Sequence, residues 1–193
     1  MAKVRNRPAG PPAKQARGGS GIGRESSARA EAVSDALRRE DSAALTGRRR
    51  VFGLALGAAA SLGVVGLYQS GIVRHLPDPP LRWFDSDKVD ASGEAYANFA
   101  TPDSALGIIS YGVTAALAGM GAADRATERP WLPLALAAKT GFDALGASYL
   151  TAEQLSKHRK LCGYCLVAAA ASLTAFPAAI PEARMAWRTL RRR

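Results

Sequence analysis

Polar and apolar positions segregate into blocks along this chain. Residues 1–49 are polar, and Pro8, Pro11, Pro12 and the run Gly18-Gly19-Ser20-Gly21-Ile22-Gly23 break them up. Such a stretch buries too little apolar surface to offset the entropy of ordering, which predicts a disordered arm. Within it, Val33, Ala36, Leu37 and Ala44 trace a faint helical stripe over residues 28–45. Four apolar stretches follow, Val51–Val73, Ser104–Ala123, Trp131–Leu150 and Leu161–Ile180, the last closed by Pro181. The first two contain no charged residue. At about 1.5 Å of rise per residue, roughly 20 residues cross a hydrocarbon core of about 30 Å. The pattern predicts an all-α polytopic membrane protein. Four transmembrane helices fill a domain over residues 50–181, with an outer loop at 74–103 and a basic tail at 182–193. The spans are rich in Ala and Gly, which let membrane helices approach closely, and Gly53 and Gly57 form one small-xxx-small pair.

Charge sharpens this picture. The 193 residues carry a net charge of +10 and a mean hydropathy of −0.06, but residues 1–50 hold 12 Lys/Arg against 5 acids. Residues 181–193 hold 5 Arg against one acid, so the middle of the chain is nearly neutral. Basic residues at the ends of apolar spans point to the anionic inner leaflet of a membrane, and nucleic acid is not the expected partner. Counting Lys and Arg near the spans gives 12 on the side of the termini and 6 on the other. Both termini are therefore expected in the cytoplasm, in a pattern that suits the inner membrane of a bacterium. No apolar core follows the first basic residues, so a signal peptide is not expected. The glycine run lacks the Gly-Lys-Ser/Thr ending of a phosphate loop.

Two cysteines exclude a disulfide-rich scaffold, and both fall in one motif, Cys162-Gly163-Tyr164-Cys165. At the start of a helix, beside His158, Arg159 and Lys160, the first thiol meets a helix dipole and basic neighbours, which favour its thiolate. The deduced topology puts the pair on the oxidising side of the membrane. His158, Cys162 and Cys165 share one helical face, and His75 could complete a tetrahedral set. No suitably spaced carboxylate or second Cys pair accompanies them, so no metal is expected. Lys139 and Asp143, four apart in the third span, are expected either to pair with each other or to serve a proton path or quinone contact. Trp83 and Phe84 suit an interfacial anchor or a lid over an apolar pocket.

Three segments together resemble the vitamin K epoxide reductase family over about residues 51–180. They are Leu161–Ala169 with its CxxC, Phe99-Ala100-Thr101-Pro102-Asp103-Ser104-Ala105-Leu106-Gly107 leading into a helix with Tyr111, and Ser86-Asp87-Lys88-Val89-Asp90-Ala91-Ser92. The resemblance implies a four-helix membrane bundle passing electrons between thiols and a quinone, menaquinone or ubiquinone. It implies that Cys162 faces a protein partner of thioredoxin type on the outer face, while Cys165 reacts with the quinone. Ser92 would order the cap of the pocket. Asp103 stands where many members have an asparagine that binds a quinone carbonyl, and Ser104 and Tyr111 lie in the same helix entry. The chain departs from the pattern at Ala169, where vertebrate members have a tyrosine. It departs again at Ser86, which takes the place of an outer-loop shuttle cysteine, since no Cys lies between Arg74 and Asp103. Serine cannot exchange disulfides. Either an external protein attacks the Cys162–Cys165 disulfide directly, or the fold survives as a non-catalytic membrane interaction module.

Overall fold

The computed structural model describes residues 27–193. Among them the regular structure is helical, apart from one isolated parallel bridge between Phe84 and Leu161. In chain order the helices are α1 (Ala28–Arg39), α2 (Ala43–Gln69), α3 (Ser86–Asp90), α4 (Asp103–Gly119), α5 (Arg125–Glu128), α6 (Trp131–Glu153) and α7 (Gly163–Arg191). A 3₁₀ turn at Gly93–Tyr96 and a π turn at Gln154–His158 join them. α2 packs along α7 and α4, α6 packs along α7, and α4 meets α6 to close a ring of four long helices.

The interior of this ring is built from small residues. One layer holds Val51, Ala118, Leu136, Ala175 and Ala179, the next Ala58, Ala168 and Ala171, and the last Val65, Val89 and Cys162. Bulky apolar side chains such as Leu56, Ile109, Phe142, Leu145 and Leu173 point outward instead. That inversion suits a hydrocarbon surround, where close backbone packing replaces burial of large side chains. α2 and α7 are long and apolar enough to cross a membrane. Close approach does rely on glycine, though not at the expected pair. A Cβ on Gly47 would lie 2.5 Å from the Ala178 carbonyl oxygen, and one on Gly107 would strike Leu62. Gly53 and Gly57 face open space.

The ends of the long helices differ from the sequence expectation. Residues 28–49, expected inside a disordered arm, are helical except near residues 40–42, because Ser27 and Ser42 cap the two helices through Ala30 and Leu45 N–H. Leu45 and Arg48 are buried, so tertiary packing holds the start of α2. Residues 1–26 of that arm lie outside the described residues. At the far end α7 continues through Pro177 and Pro181 to Arg191, and the expected tail at 182–193 extends this helix. Pro normally removes a helical hydrogen bond. Here Ala179, Ala183 and Ala186 keep a buried face in register past both prolines, and Glu182 pairs with Arg125.

Those contacts make a dense polar knot where α2 begins and α4 ends. The Arg48 guanidinium donates to the carbonyls of Ala118 (2.9 Å), Met120 (3.1 Å), Gly121 (2.8 Å) and Ala122 (2.9 Å). Arg125 donates to Leu117 O and Met120 O and forks onto both Glu182 oxygens at 2.8 and 2.6 Å. Two arginines that the sequence offered as membrane-flanking charges thus satisfy the orphan carbonyls at the C-terminus of α4.

Candidate functional site

Cys162 is the N-cap of α7, with extended backbone (φ −91°, ψ 121°), and its sulphur accepts the Cys165 N–H at 3.2 Å. The CxxC spacing makes this geometry, since the residue three beyond an N-cap points its N–H back at the cap side chain. Both cysteines carry free thiols. Cys165 is half-buried and Cys162 has no exposed surface at all.

The outer loop makes that seal. Leu161 N–H donates to Trp83 O at 2.8 Å, and Asp85 N–H donates to Leu161 O at 3.1 Å, which clamps the loop against the entry of α7. Ser86 starts α3 fully buried. Its hydroxyl donates to Asp78 Oδ1 at 2.6 Å and accepts from Gly163 N–H at 3.3 Å. Ser86 therefore stands against the residue next to Cys162. Phe84 lies over Gly163 in the same wall, whereas Trp83 is exposed with Arg82 stacked on its ring. Gln154 completes the wall by accepting the Cys162 N–H at 3.0 Å.

A carboxylate joins the thiols through the fold, where sequence spacing offered none. Asp90, on the last turn of α3, is 2% exposed, and Cys165 Sγ donates to its Oδ1 at 3.5 Å. An Asp90 carboxylate oxygen and the two sulphurs all lie within 4.8 Å of one another. Burial, and next the negative charge of the Cys162 thiolate, push the Asp90 carboxyl up to about 9. Sequence reading passed over Asp90, although a signal was present. Ser86, Val89 and Asp90 form the buried face of a short helix while its remaining positions face outward.

Gln69, at the end of α2, ties the rest together. Its Nε2 donates to Asp103 Oδ1 at 2.8 Å and to the Asp90 carbonyl at 3.1 Å, and its own carbonyl accepts from Tyr96 OH at 3.0 Å. Asp103 is thus engaged with Gln69. Ser92 and Ser104 are different, because each has a buried hydroxyl oxygen with no hydrogen-bond partner, as does Asp90 Oδ2. Buried polar atoms are normally paired, so the unpaired oxygen on Asp90, whose other oxygen meets Cys165, and the unpaired hydroxyl of Ser104, beside Gln69, are exceptional. Hydroxyls and a protonated carboxyl are donors of the kind that quinone carbonyls accept, so these residues fit such a group. Tyr111 lies farther along: its OH is 2.8 Å from Ser172 Oγ and donates to Ala168 O, one turn past Cys165.

Lys139 and Asp143 form the pair that their spacing allows. Lys139 Nζ lies 2.5 Å from Asp143 Oδ1, and Ser110 and Thr114 of α4 donate to the same carboxylate at 3.1 and 2.7 Å. The pair is fully hydrogen-bonded between helices. Among the described residues, no cluster of three ligating side chains includes His75 or His158. His75 instead pairs with Asp87 on the loop surface.

No curated protein and no solved structure matches the chain. The model of the "Vitamin K epoxide reductase family" matches residues 50–180, which include α3, both thiols and most of the helical ring. Members of that family are membrane thiol oxidoreductases that use quinones. With a match over most of its length, the chain belongs to the vitamin K epoxide reductase family.

Proposed function

We propose that this protein is a four-span membrane thiol–disulfide oxidoreductase that passes two electrons between the Cys162–Cys165 pair and a quinone. The observation that carries the reading is the pair itself: two free thiols at the mouth of a long apolar helix, with the buried Asp90 carboxyl against Cys165 and one of its oxygens without a partner. Cys162, at the helix N-terminus, is the better stabilised thiolate. Cys165, the residue of the pair that keeps some exposed surface, would be the one that meets the quinone. A quinone supplies the two-electron acceptor when bound. Ser92 and Ser104 would hold its carbonyl oxygens, α3 and the loop before it would exclude water, and Gln69 would keep Asp103 and α3 at a fixed distance. Both termini would lie in the cytoplasm and the loop at residues 74–103 outside, as the arginine distribution favours.

Exchange with a thioredoxin-like protein needs access to a sulphur. In-line attack on Cys162 requires the Ser86–Asp90 segment to lift from the entry of α7, because Cys162 is fully covered. The reading is tested by Cys165→Ser in purified protein. Thiol-driven quinone reduction falls to background, whereas unchanged turnover refutes it.

The seal over Cys162 and the serine at position 86 favour one second reading, a membrane interaction module without turnover. A Cys165→Ala variant separates the two. If the protein is an enzyme, this variant accumulates a mixed disulfide through Cys162 with an outer-face partner. If no such adduct forms, and deletion of residues 1–26, which leaves α1 and α2 whole, abolishes the phenotype, the module reading stands.

A further inference from the structure

Asp90 is out of place as a structural residue. It occupies the buried face of α3 next to Val89, which packs with Val65 and Cys162 as an apolar side chain does without desolvating a charge. Instead the position holds a carboxyl with 2% exposure, one oxygen against Cys165 Sγ at 3.5 Å and the other with no partner. Burying an unpaired polar atom is destabilising, so packing alone gives no reason to keep it. Both oxygens are placed for proton transfer. One touches a reacting sulphur and the other is free to touch something else.

We propose that Asp90 is a catalytic acid–base group of this site, carrying one proton between Cys165 Sγ and an oxygen of the bound quinone. The assignment rests on the reading of the thiol pair given above. When the pair is oxidised, the Cys165 S–H bond breaks, one S–S bond forms, and two electrons and two protons pass to the two quinone oxygens. Asp90 Oδ1 takes the Cys165 proton while Oδ2 gives up its own, so the carboxyl is still protonated when the step ends and loses its proton to solvent only afterwards, as the oxidised pair equilibrates. The second proton is the one Cys162 released to solvent on ionising. Run in reverse, the same steps return both protons.

The groups facing Asp90 set the sign of its response. Cys162 and Cys165 face it from α7, Asp103 from α4 and Tyr68 from α2, with Asp87 and Lys88 beside it on α3. In the reduced state the Cys162 thiolate and burial together favour the protonated carboxyl. Disulfide formation removes that thiolate charge, so the carboxyl becomes the stronger acid when the pair is oxidised. Reduction of the disulfide therefore takes up a proton on Asp90 in addition to the one on Cys165.

The test reads that proton without any quinone. Full-length protein in detergent is equilibrated with dithiothreitol redox buffers at neutral to mildly alkaline pH, and the thiol fraction is trapped and weighed by mass spectrometry. For the wild type, the reduction constant falls with pH up to tenfold per unit more steeply than for Asp90→Asn, equivalent to about 30 mV per unit for this two-electron couple. Equal slopes overturn the assignment. Should Asp90→Asn not fold, infrared difference spectra of the wild type answer the same question. A protonated-carboxyl stretch gains intensity on reduction, and its absence overturns the proposal. Quinone turnover then separates the two claims. Asp90→Asn lowers kcat about 100-fold or more with KM little changed, and an unchanged kcat overturns the role of Asp90. Unequal slopes with no quinone reduction by the wild type overturn the quinone reading and keep Asp90 as the proton carrier of the thiol pair.

Discussion

The two ends of the helical ring handle buried polarity in opposite ways. Where α2 begins and α4 ends, Arg48, Arg125 and Glu182 are buried and find partners in one another or in backbone carbonyls. The guanidinium forks match the carbonyl fan of a helix C-terminus and the two oxygens of a carboxylate, so this knot holds four segments and has no capacity to spare. At the thiol end, Asp90 Oδ2, Ser92 Oγ and Ser104 Oγ are buried as deeply and left unpaired. One end spends its polar groups on closure. The other leaves them unpaired, one of them on the carboxyl that meets Cys165, as expected of a scaffold that carries the site proposed above.

The largest expected effect breaks the closed end. Glu182→Ala leaves the Arg125 guanidinium buried without its carboxylate, and removing one partner of a buried pair costs about 3–5 kcal/mol. Thermal unfolding in detergent, followed by circular dichroism, should show a large drop in Tm. Below that Tm the alkylation rate of Cys165 stays as in the wild type, because the knot and the thiols share no partner. An unchanged Tm would mean that the knot is no staple and that the contrast between the ends fails.

A smaller effect, of opposite sign, sharpens the contrast at the other end. Ser104→Ala removes a buried hydroxyl that has no partner to lose, so stability should hold or rise by about 1 kcal/mol. The same change should raise the KM for quinone several-fold with kcat nearly constant, since a binding donor is removed and the sulphurs are not touched. Gly66 lets Ser104 sit where it does, for a Cβ there would lie 3.2 Å from Ser104 Oγ. A fall in Tm on Ser104→Ala would make the hydroxyl structural and erase the difference between the ends.

How much of this was legible in the sequence depends on which groups interact locally. The apolar blocks and the CxxC at a helix start follow from spacing, and the structure has long helices over all four blocks and Cys162 at an N-cap. Helix boundaries were less legible. The chain beyond Pro181 stays helical because Arg125, nearly 60 residues away, pairs with Glu182, and no local signal reports that contact. Arg48 read as a flanking charge for the same reason, since its acceptors lie 70 or more residues on. The proposed site divides similarly. The CxxC spacing offers Cys162 and Cys165, and the family resemblance offers Ser92 and Ser104. Asp90 and Gln69 became visible only once α3 folded over the thiols.

The smallest effect concerns what keeps that fold-over in place. His75 Nδ1 lies 2.5 Å from Asp87 Oδ2 at the loop surface, while Asp87 Oδ1 accepts Leu76 N–H at 2.8 Å, so the pair pins α3 from outside. The hydrogen bond from His75 to Asp87, and next the Asp87 charge, raise the His75 pKa above its ordinary 6.5. A base with a raised pKa in the folded state contributes fully below its unfolded pKa, and its contribution is lost as pH rises through the folded value. The imidazolium is solvent-exposed, which keeps the gain small. Its consequence is local, because Cys162 becomes reachable only when α3 lifts. Cys162 alkylation in intact protein should therefore be faster in His75→Gln than in the wild type below pH 6.5, and the two rates should converge at alkaline pH. Equal rates at low pH would mean that the clamp on α3 lies wholly in the buried contacts of Ser86, Asp78 and Gly163, and that the exposed pair adds nothing to the seal over Cys162.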